Sequence, residues 1–412
     1  MLEYGITSVQ GARDANEDRA QCFVEGNGFK WFAVHDGHGG EQAVDKIVAW
    51  VTTHQREWRR KKLMQDQNEE PGMMKDMAQA YFEMEEALRE EKSGAVSVTA
   101  VCTKKAIYFA WMGDCEGCVF DAQTGAIAES RGPAYNCMID FAEVEETQRS
   151  MICSQTIAHR FASKPRMQPL SSTTRVDGAC TMYQHYRALS FPDLKTQEEL
   201  RKIQQRSPNE IICVDVTEAR VGTQMMLLDV RLSNSIQPTR ALGDGRETLV
   251  LRQPAVLCVR RATAPNGRKA RQNILMCSDG AFDRYAFANL QAVCQCFANP
   301  LEFVQKQFYR GGQEITERLT ANNTLPTALA ATTWPEFIVF LREQHMPALI
   351  AIAANDEQTW LRACYRSMLW LQNNPLAQDE GMSCFMGTHI VAHLAVLMGS
   401  MDNVTVLVAL KA

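Results

Sequence analysis

With 412 residues, 46% apolar and 22% charged, the chain has the make-up of an ordinary globular protein with room for a large core. A net charge of −5 gives no general attraction to nucleic acid or to an anionic membrane. No apolar stretch is long enough to span a bilayer, and the start lacks a basic-then-apolar leader. The expectation is an intracellular, cytoplasmic chain with neither a membrane nor a nucleic-acid partner. The basic run Arg59-Arg60-Lys61-Lys62 leaves a nuclear location open, although a solvated helix end accounts for it better.

Taken in order, Gly5 to Val9 reads as a short strand that opens into a polar loop carrying Arg13, Glu17 and Asp18. Ala20 to Val24, then Asn27-Gly28, then the aromatic run from Phe29 form a hairpin pattern, which puts Glu17-Asp18 and Asp36 on neighbouring strands. The second strand is expected to stop at His35-Asp36-Gly37-His38-Gly39-Gly40. Helical spacing follows from Glu41 to Lys62 and again over Met73 to Glu90. Strands are expected over Gly94 to Cys102, Ala106 to Met112 and Gly117 to Phe120. From 131 to 189 the periodicity fades, and this part reads as a loop-rich insertion.

Thr196 to Gln205 reads as a short helix, and Ile211 to Val216 and Met225 to Val230 as strands. Asn273 to Cys277 is a buried strand running into Ser278-Asp279-Gly280. A second insertion, near 299–381, is helical in pattern and carries Trp334, Trp360 and Trp370. Two readings stay open for it: a small subdomain beside the cleft, or an enlarged core. A helix over His389 to Met398, then Asp402-Asn403 and a terminal strand Val404 to Leu410, close the chain. The whole is read as one catalytic domain over 1–412.

Fourteen cysteines are scattered. Cys115 and Cys118 form one C-x-x-C without the second pair that a zinc ribbon needs, so most are read as small buried hydrophobes. None is followed by an arginine with five residues between, the C-x5-R spacing of thiol-based phosphatases.

Four apolar strands meet aspartate at a tight turn, at Asp36, Asp114, Asp279 and Asp402. One such residue is a turn former. Four, with Glu17-Asp18, look like a carboxylate cluster assembled from distant sequence, whose mutual repulsion calls for cations. Oxygen-only ligands suit magnesium or manganese rather than zinc. Two such ions activate water against a phosphate ester. Arg13 would hold the phosphate, because guanidinium matches two of its oxygens, and His38 would protonate the leaving oxygen.

The chain resembles the metal-dependent protein serine/threonine phosphatases of type 2C. The resemblance rests on six stretches in the family's order: Gln10-Gly11-Ala12-Arg13 with Glu17-Asp18; Phe32 to Gly40; Met112-Gly113-Asp114; Thr239-Arg240-Ala241-Leu242-Gly243-Asp244; Met276 to Asp283; and Asp402 to Val406. It implies an α+β fold, an α-β-β-α sandwich of two antiparallel sheets flanked by helices. It implies that Asp36 bridges two Mg2+ or Mn2+ ions, that Gly37 lends its carbonyl, and that Asp279 and Asp402 are ligands. Glu17 and Asp18 would act through water, and a third ion would lie near Asp114 and Asp283. Catalysis would involve Arg13, Asp36 and His38 in a monomer acting on phosphoprotein substrates.

Two departures stand out. Cys115-Glu116 replaces the usual Ser-Arg, and the family's Asp-His-Lys turn corresponds to Pro192-Asp193-Leu194-Lys195. The alternative to an active enzyme is a pseudophosphatase using the fold as a binding platform, which a lost ligand would favour; none is missing. A two-metal enzyme acting on nucleic-acid phosphodiesters is disfavoured by the acidic balance.

Overall fold

The computed structural model describes residues 3–24, 30–60, 70–128, 136–140, 166–175, 182–190, 201, 213–218, 222–229, 234–236, 238–245, 250–261, 272–283, 286–300, 302–303, 334–354, 356–373 and 384–411. In the amino-terminal part, β1 (Glu3–Val9) is followed by β2 (Arg19–Val24), β3 (Lys30–His38), α1 (Gln42–Arg60) and α2 (Glu70–Ala87). Next come β4 (Gly94–Cys102), β5 (Ala106–Met112), β6 (Glu116–Phe120) and β7 (Asn136–Asp140). A middle group holds β8 (Arg166–Arg175), β9 (Met182–Ser190), β10 (Cys213–Glu218), β11 (Gly222–Asp229) and β12 (Asn234–Ile236). The chain then runs through β13 (Leu242–Gly243), β14 (Ala255–Arg260), β15 (Asn273–Cys277) and a 3-10 turn, Asp279–Phe282. Helices α3 (Leu290–Ala298), α4 (Trp334–Ala353), α5 (Glu357–Asn373) and α6 (Cys384–Met398) precede β16 (Val404–Leu410).

Two antiparallel sheets face each other. One has the order β1-β16-β15-β6, the other β2-β3-β4-β5-β14-β7 with β13 added to β4. Strand alternation decides what lies on each side. Phe32 and Val34 of β3 point inward to meet Ile274, Met276, Leu407 and Ala409 from the facing sheet. Trp31 and Ala33 point the other way, onto Val44 and Ile47 of α1 and Met77 and Tyr81 of α2. In β16, Val404, Val406 and Val408 turn outward onto α6 and its neighbours. The layers therefore run helices, sheet, sheet, helices, as the resemblance implies.

The hairpin reading holds, with Arg19 opposite His35. Two expectations need correction. First, β3 does not stop at Asp36: it stays paired with β4 through Asp36↔Val96, Gly37↔Ala95 and His38↔Gly94. The glycine that reads as a turn lies inside a buried strand, where a neighbouring chain passes close.

Second, 131–189 is not loop-rich where it is described. It supplies β7 to the second sheet, while β8 and β9 join β10 to β12 in a separate five-stranded antiparallel sheet. The polar, Ser/Thr-rich β8 lacks the apolar alternation that marks a half-buried strand, so periodicity alone missed it. Of the two readings left open for 299–381, the described residues favour the enlarged core: Phe340, Leu341 and Leu349 of α4 and Trp370 and Leu371 of α5 belong to the cluster that includes α6 and the outer face of β16. The Pro192 to Lys195 stretch, Lys61-Lys62 and nearly all of the helix expected over Thr196 to Gln205 lie outside the described residues.

Candidate active site

The carboxylates meet where strands of the two facing sheets run out. Asp36 is carried by β3, Asp18 by the loop entering β2, Asp279 by the turn leaving β15, and Asp402 by the turn entering β16. The Asp36 carboxyl is pushed well above its usual range, first by burial and then by the charges of Asp18, Asp279 and Asp402. Asp18 is pushed up to about 7, chiefly by burial, although hydrogen bonds from Thr405 and Ser278 oppose the shift. A buried carboxyl raised by three acidic neighbours marks a concentrated negative site.

A frame of neutral groups holds the loops that carry them. Asn403 is buried; its Oδ1 accepts the Glu17 amide at 2.8 Å, and its Nδ2 donates to the carbonyls of Gln10 at 2.7 Å and Ala15 at 3.0 Å. The Ser278 hydroxyl donates to Asp18 Oδ2 at 2.8 Å and accepts the Thr405 amide at 2.9 Å. A side chain at Gly280 would run into the Asn403 carbonyl oxygen, so the two aspartate-bearing turns approach this closely only because residue 280 has none.

Arg13 is at the rim, with 59% of its side chain exposed, and its Nη2 donates to Asp402 Oδ2 at 2.6 Å. Burial lowers the affinity of its guanidinium for the proton, but Asp402, Asp279 and Asp36 together outweigh that and raise it. His38 Nε2 is 2.9 Å from both carboxylate oxygens of Asp244. Burial alone would lower its pKa; Asp244, then Asp114 and Glu17, raise it instead.

Asp114 is buried and within electrostatic reach of His38, while Asp283 accepts the Met401 amide at 2.9 Å. Asp36, Asp18, Asp279, Asp402, Arg13, Glu17, His38 and Asp114 thus share one neighbourhood. Sequence reasoning missed Asn403 and Ser278 as supports and gave Asp244 no role, although all three lie inside quoted motifs.

Among the described residues no three histidine, cysteine, aspartate or glutamate side chains already stand in metal-holding geometry. Asp402 is instead engaged by Arg13. The donor set still fits a hard cation. It is all oxygen, the Asp36 carboxyl is raised by burial and by its three acidic neighbours, and Asp18 Oδ1 is buried without a hydrogen-bond partner. A buried carboxylate oxygen left in that state is costly unless a cation meets it.

A two-sheet sandwich with helices outside and a carboxylate site at its strand ends defines the class of protein. The family model for Protein phosphatase 2C matches residues 2–131, which includes Arg13, Glu17, Asp18, Asp36, Gly37, His38 and Asp114. "Probable protein phosphatase 2C 17" of Arabidopsis thaliana is 28% identical over 190 residues, covering 43% of this chain and 61% of that relative. Among solved structures, a C. elegans sex determining protein aligns at 13% identity and a TM-score of 0.47, covering 100% of this chain and 65% of that one. The serine-threonine phosphatase 2C of Toxoplasma gondii aligns at 13% identity and a TM-score of 0.43, covering 100% and 95%. By its motifs, its two-sheet sandwich and the family match over residues 2–131, the chain is similar to the type 2C protein phosphatases.

Proposed function

We propose that the chain is an active, metal-dependent protein serine/threonine phosphatase. The observation that carries this reading is the convergence of Asp18, Asp36, Asp279 and Asp402, from distant parts of the chain, beside Arg13 and His38. Asp36, Asp279, Asp402 and the Gly37 carbonyl would hold two Mg2+ or Mn2+ ions, with Glu17 and Asp18 acting through water and Asp114 and Asp283 serving a third ion. Bound there, the ions would supply charge neutralisation for the phosphate and an acidified water.

The chain's own groups do the rest. Arg13 exchanges its Asp402 contact for two oxygens of the incoming phosphate, which fixes the phosphorus in line with the attacking water. As the water oxygen bonds to phosphorus, the P–O bond to serine or threonine breaks and its electron pair leaves with that oxygen. His38 gives that oxygen its proton, so the products are a free hydroxyl side chain and inorganic phosphate. The substrates are phosphoproteins, the chain acts as a monomer with one catalytic domain, and the cytoplasm or nucleus is its place of action.

The test is phosphate release from a phosphothreonine peptide by the purified full chain. Release that requires Mn2+ or Mg2+ and is abolished by excess chelator supports the reading. Release that persists in chelator overturns the metal role. Metal binding by calorimetry without any release favours the pseudophosphatase instead.

A further inference from the structure

We infer that Asp244 is the positioning residue for His38, and that Gly94 is the space in which the two side chains meet. The inference rests on the phosphatase reading and deepens it. Asp244 lies 206 residues from His38 in sequence, yet both of its carboxylate oxygens are 2.9 Å from Nε2. The aspartate is nearly buried, with 9% of its side chain exposed, whereas His38 has 24% and faces the opening.

The holder is rigid. The Asp244 amide donates to the Ser93 carbonyl at 3.1 Å, and the Gly245 amide to the Glu91 carbonyl at 2.8 Å. The Gly243 amide donates to Glu85 Oε2 at 2.9 Å. These bonds fasten β13 to α2 and to the segment leading into β4; Gly243 pairs with Gly94 of β4, and on the other side of β4 His38 of β3 also stands opposite Gly94. Gly94 therefore has the histidine strand on one side and the aspartate strand on the other. A Cβ there would collide with His38 Nε2 and with both Asp244 oxygens. Asp244 also takes a left-handed backbone, φ 60°, which costs energy for any residue but glycine and least for Asn or Asp. A strained, buried carboxylate aimed at one ring nitrogen has a role beyond filling a turn.

With Nε2 held by Asp244, Nδ1 is the nitrogen that hands its proton to the departing serine or threonine oxygen. Asp244 fixes the tautomer and the ring plane. It acts through His38 and touches no reacting atom.

The variants are chosen for the backbone. Asp244→Asn keeps the shape and tolerates φ 60°, and Asp244→Gly removes the carboxylate at no conformational cost. Each is compared with wild type, His38→Ala and the double variant, on a phosphothreonine peptide and on an activated aryl phosphate, with Mn2+. The alkoxide leaving group depends on the proton donor far more than the aryl oxide does. We expect kcat on the peptide to fall about 10-fold or more, KM to change little, and the fall to exceed that on the aryl phosphate several-fold. In the His38→Ala background, loss of Asp244 should add no further fall.

A spectroscopic readout stands apart from turnover. In wild type the His38 Nε2 proton should be visible by NMR as a strongly downfield, slowly exchanging signal, lost in Asp244→Gly. An active wild type with unchanged turnover in a folded Asp244→Gly variant overturns this inference alone. So do equal losses on both substrates, multiplying losses in the double variant, or an unchanged histidine signal. A wild type that hydrolyses neither substrate overturns the phosphatase reading and this role with it.

Discussion

Replacing Gly94 by alanine separates the stability of the fold from the geometry of the candidate acid. The position is buried in β4 between two paired strands, and its backbone is ordinary extended chain that alanine adopts freely. Two energy terms oppose each other. Alanine removes the entropy penalty of glycine in a strand, about 0.5–1 kcal/mol, which favours the variant. The added methyl overlaps His38 Nε2 and the Asp244 carboxylate, which must retreat by about 1 Å to reach ordinary contact.

Both obstacles are ends of side chains rather than backbone, so they swing aside, at a cost of about 1 kcal/mol at the low end of overpacking. Net stability should change by less than about 1 kcal/mol, or a few degrees in melting temperature. Function should suffer far more, since a displacement of this size at a proton donor costs about 100-fold in rate. The assay pairs thermal melting with kcat on a phosphothreonine peptide in Mn2+. Wild-type kcat in Gly94→Ala would refute the reasoning. So would a large drop in melting temperature, because the loss could then be ascribed to the fold.

Two further outcomes are expected. Burial, helped by the positive Arg342, lowers the pKa of His345 to about 4; burial, then His345, His389 and Arg342, lower that of His393 to about 3. Between α4 and α6 the His393 ring packs on both His345 and His389, and His345 Nδ1 lies 3.4 Å from His393 Nδ1. A folded pKa below the unfolded value means that the neutral form is stabilised. That contribution is complete above about pH 6.5 and is lost as pH falls toward 4, by up to about 2 kcal/mol per ring at pH 5. Melting temperature measured between pH 8 and 5 should fall, and His393→Phe should flatten the slope; an unchanged slope would count against it. Leu371→Ala, at a fully buried site on α5, should cost about 2–5 kcal/mol by urea unfolding, and a cost below about 0.5 would show that α5 does not belong to the core.

Much of this was legible because strand periodicity and motif order are local signals. Gly94–Cys102, Ala106–Met112, Asn273–Cys277 and Val404–Leu410 are apolar enough to be read to the residue. The site residues Arg13, Asp18, Asp36, His38, Asp279 and Asp402 were nameable because an aspartate at the end of an apolar strand is conspicuous. What escaped depends on three-dimensional pairing. Asp244 reads as the last residue of a turn; only the addition of β13 to β4 brings it to His38. Asn403 reads as a companion to Asp402, yet its side chain bonds to residues almost 400 positions earlier. The polar strands of the middle insertion carry no alternation to betray them.

The helices described between 299 and 381 stand clear of the carboxylate site. The two ends of this insertion join α3 and α6, which both lie on the outer face of the β1-β16-β15-β6 sheet, away from the interior between the sheets. Helices added there extend an existing apolar layer, with Phe340 stacked on Trp370 and both buried. They also brace α6. Trp360 Nε1 donates to the Leu397 carbonyl at 2.8 Å, one turn before the chain reaches Ser400 and Asp402. The turn that presents Asp402 is then set by the Ser400 amide on the Ala395 carbonyl and by the Ser400 hydroxyl accepting the Asp402 amide at 3.3 Å. The described part of the insertion is therefore placed to fix one aspartate of the site from behind, which is a different task from covering the cleft.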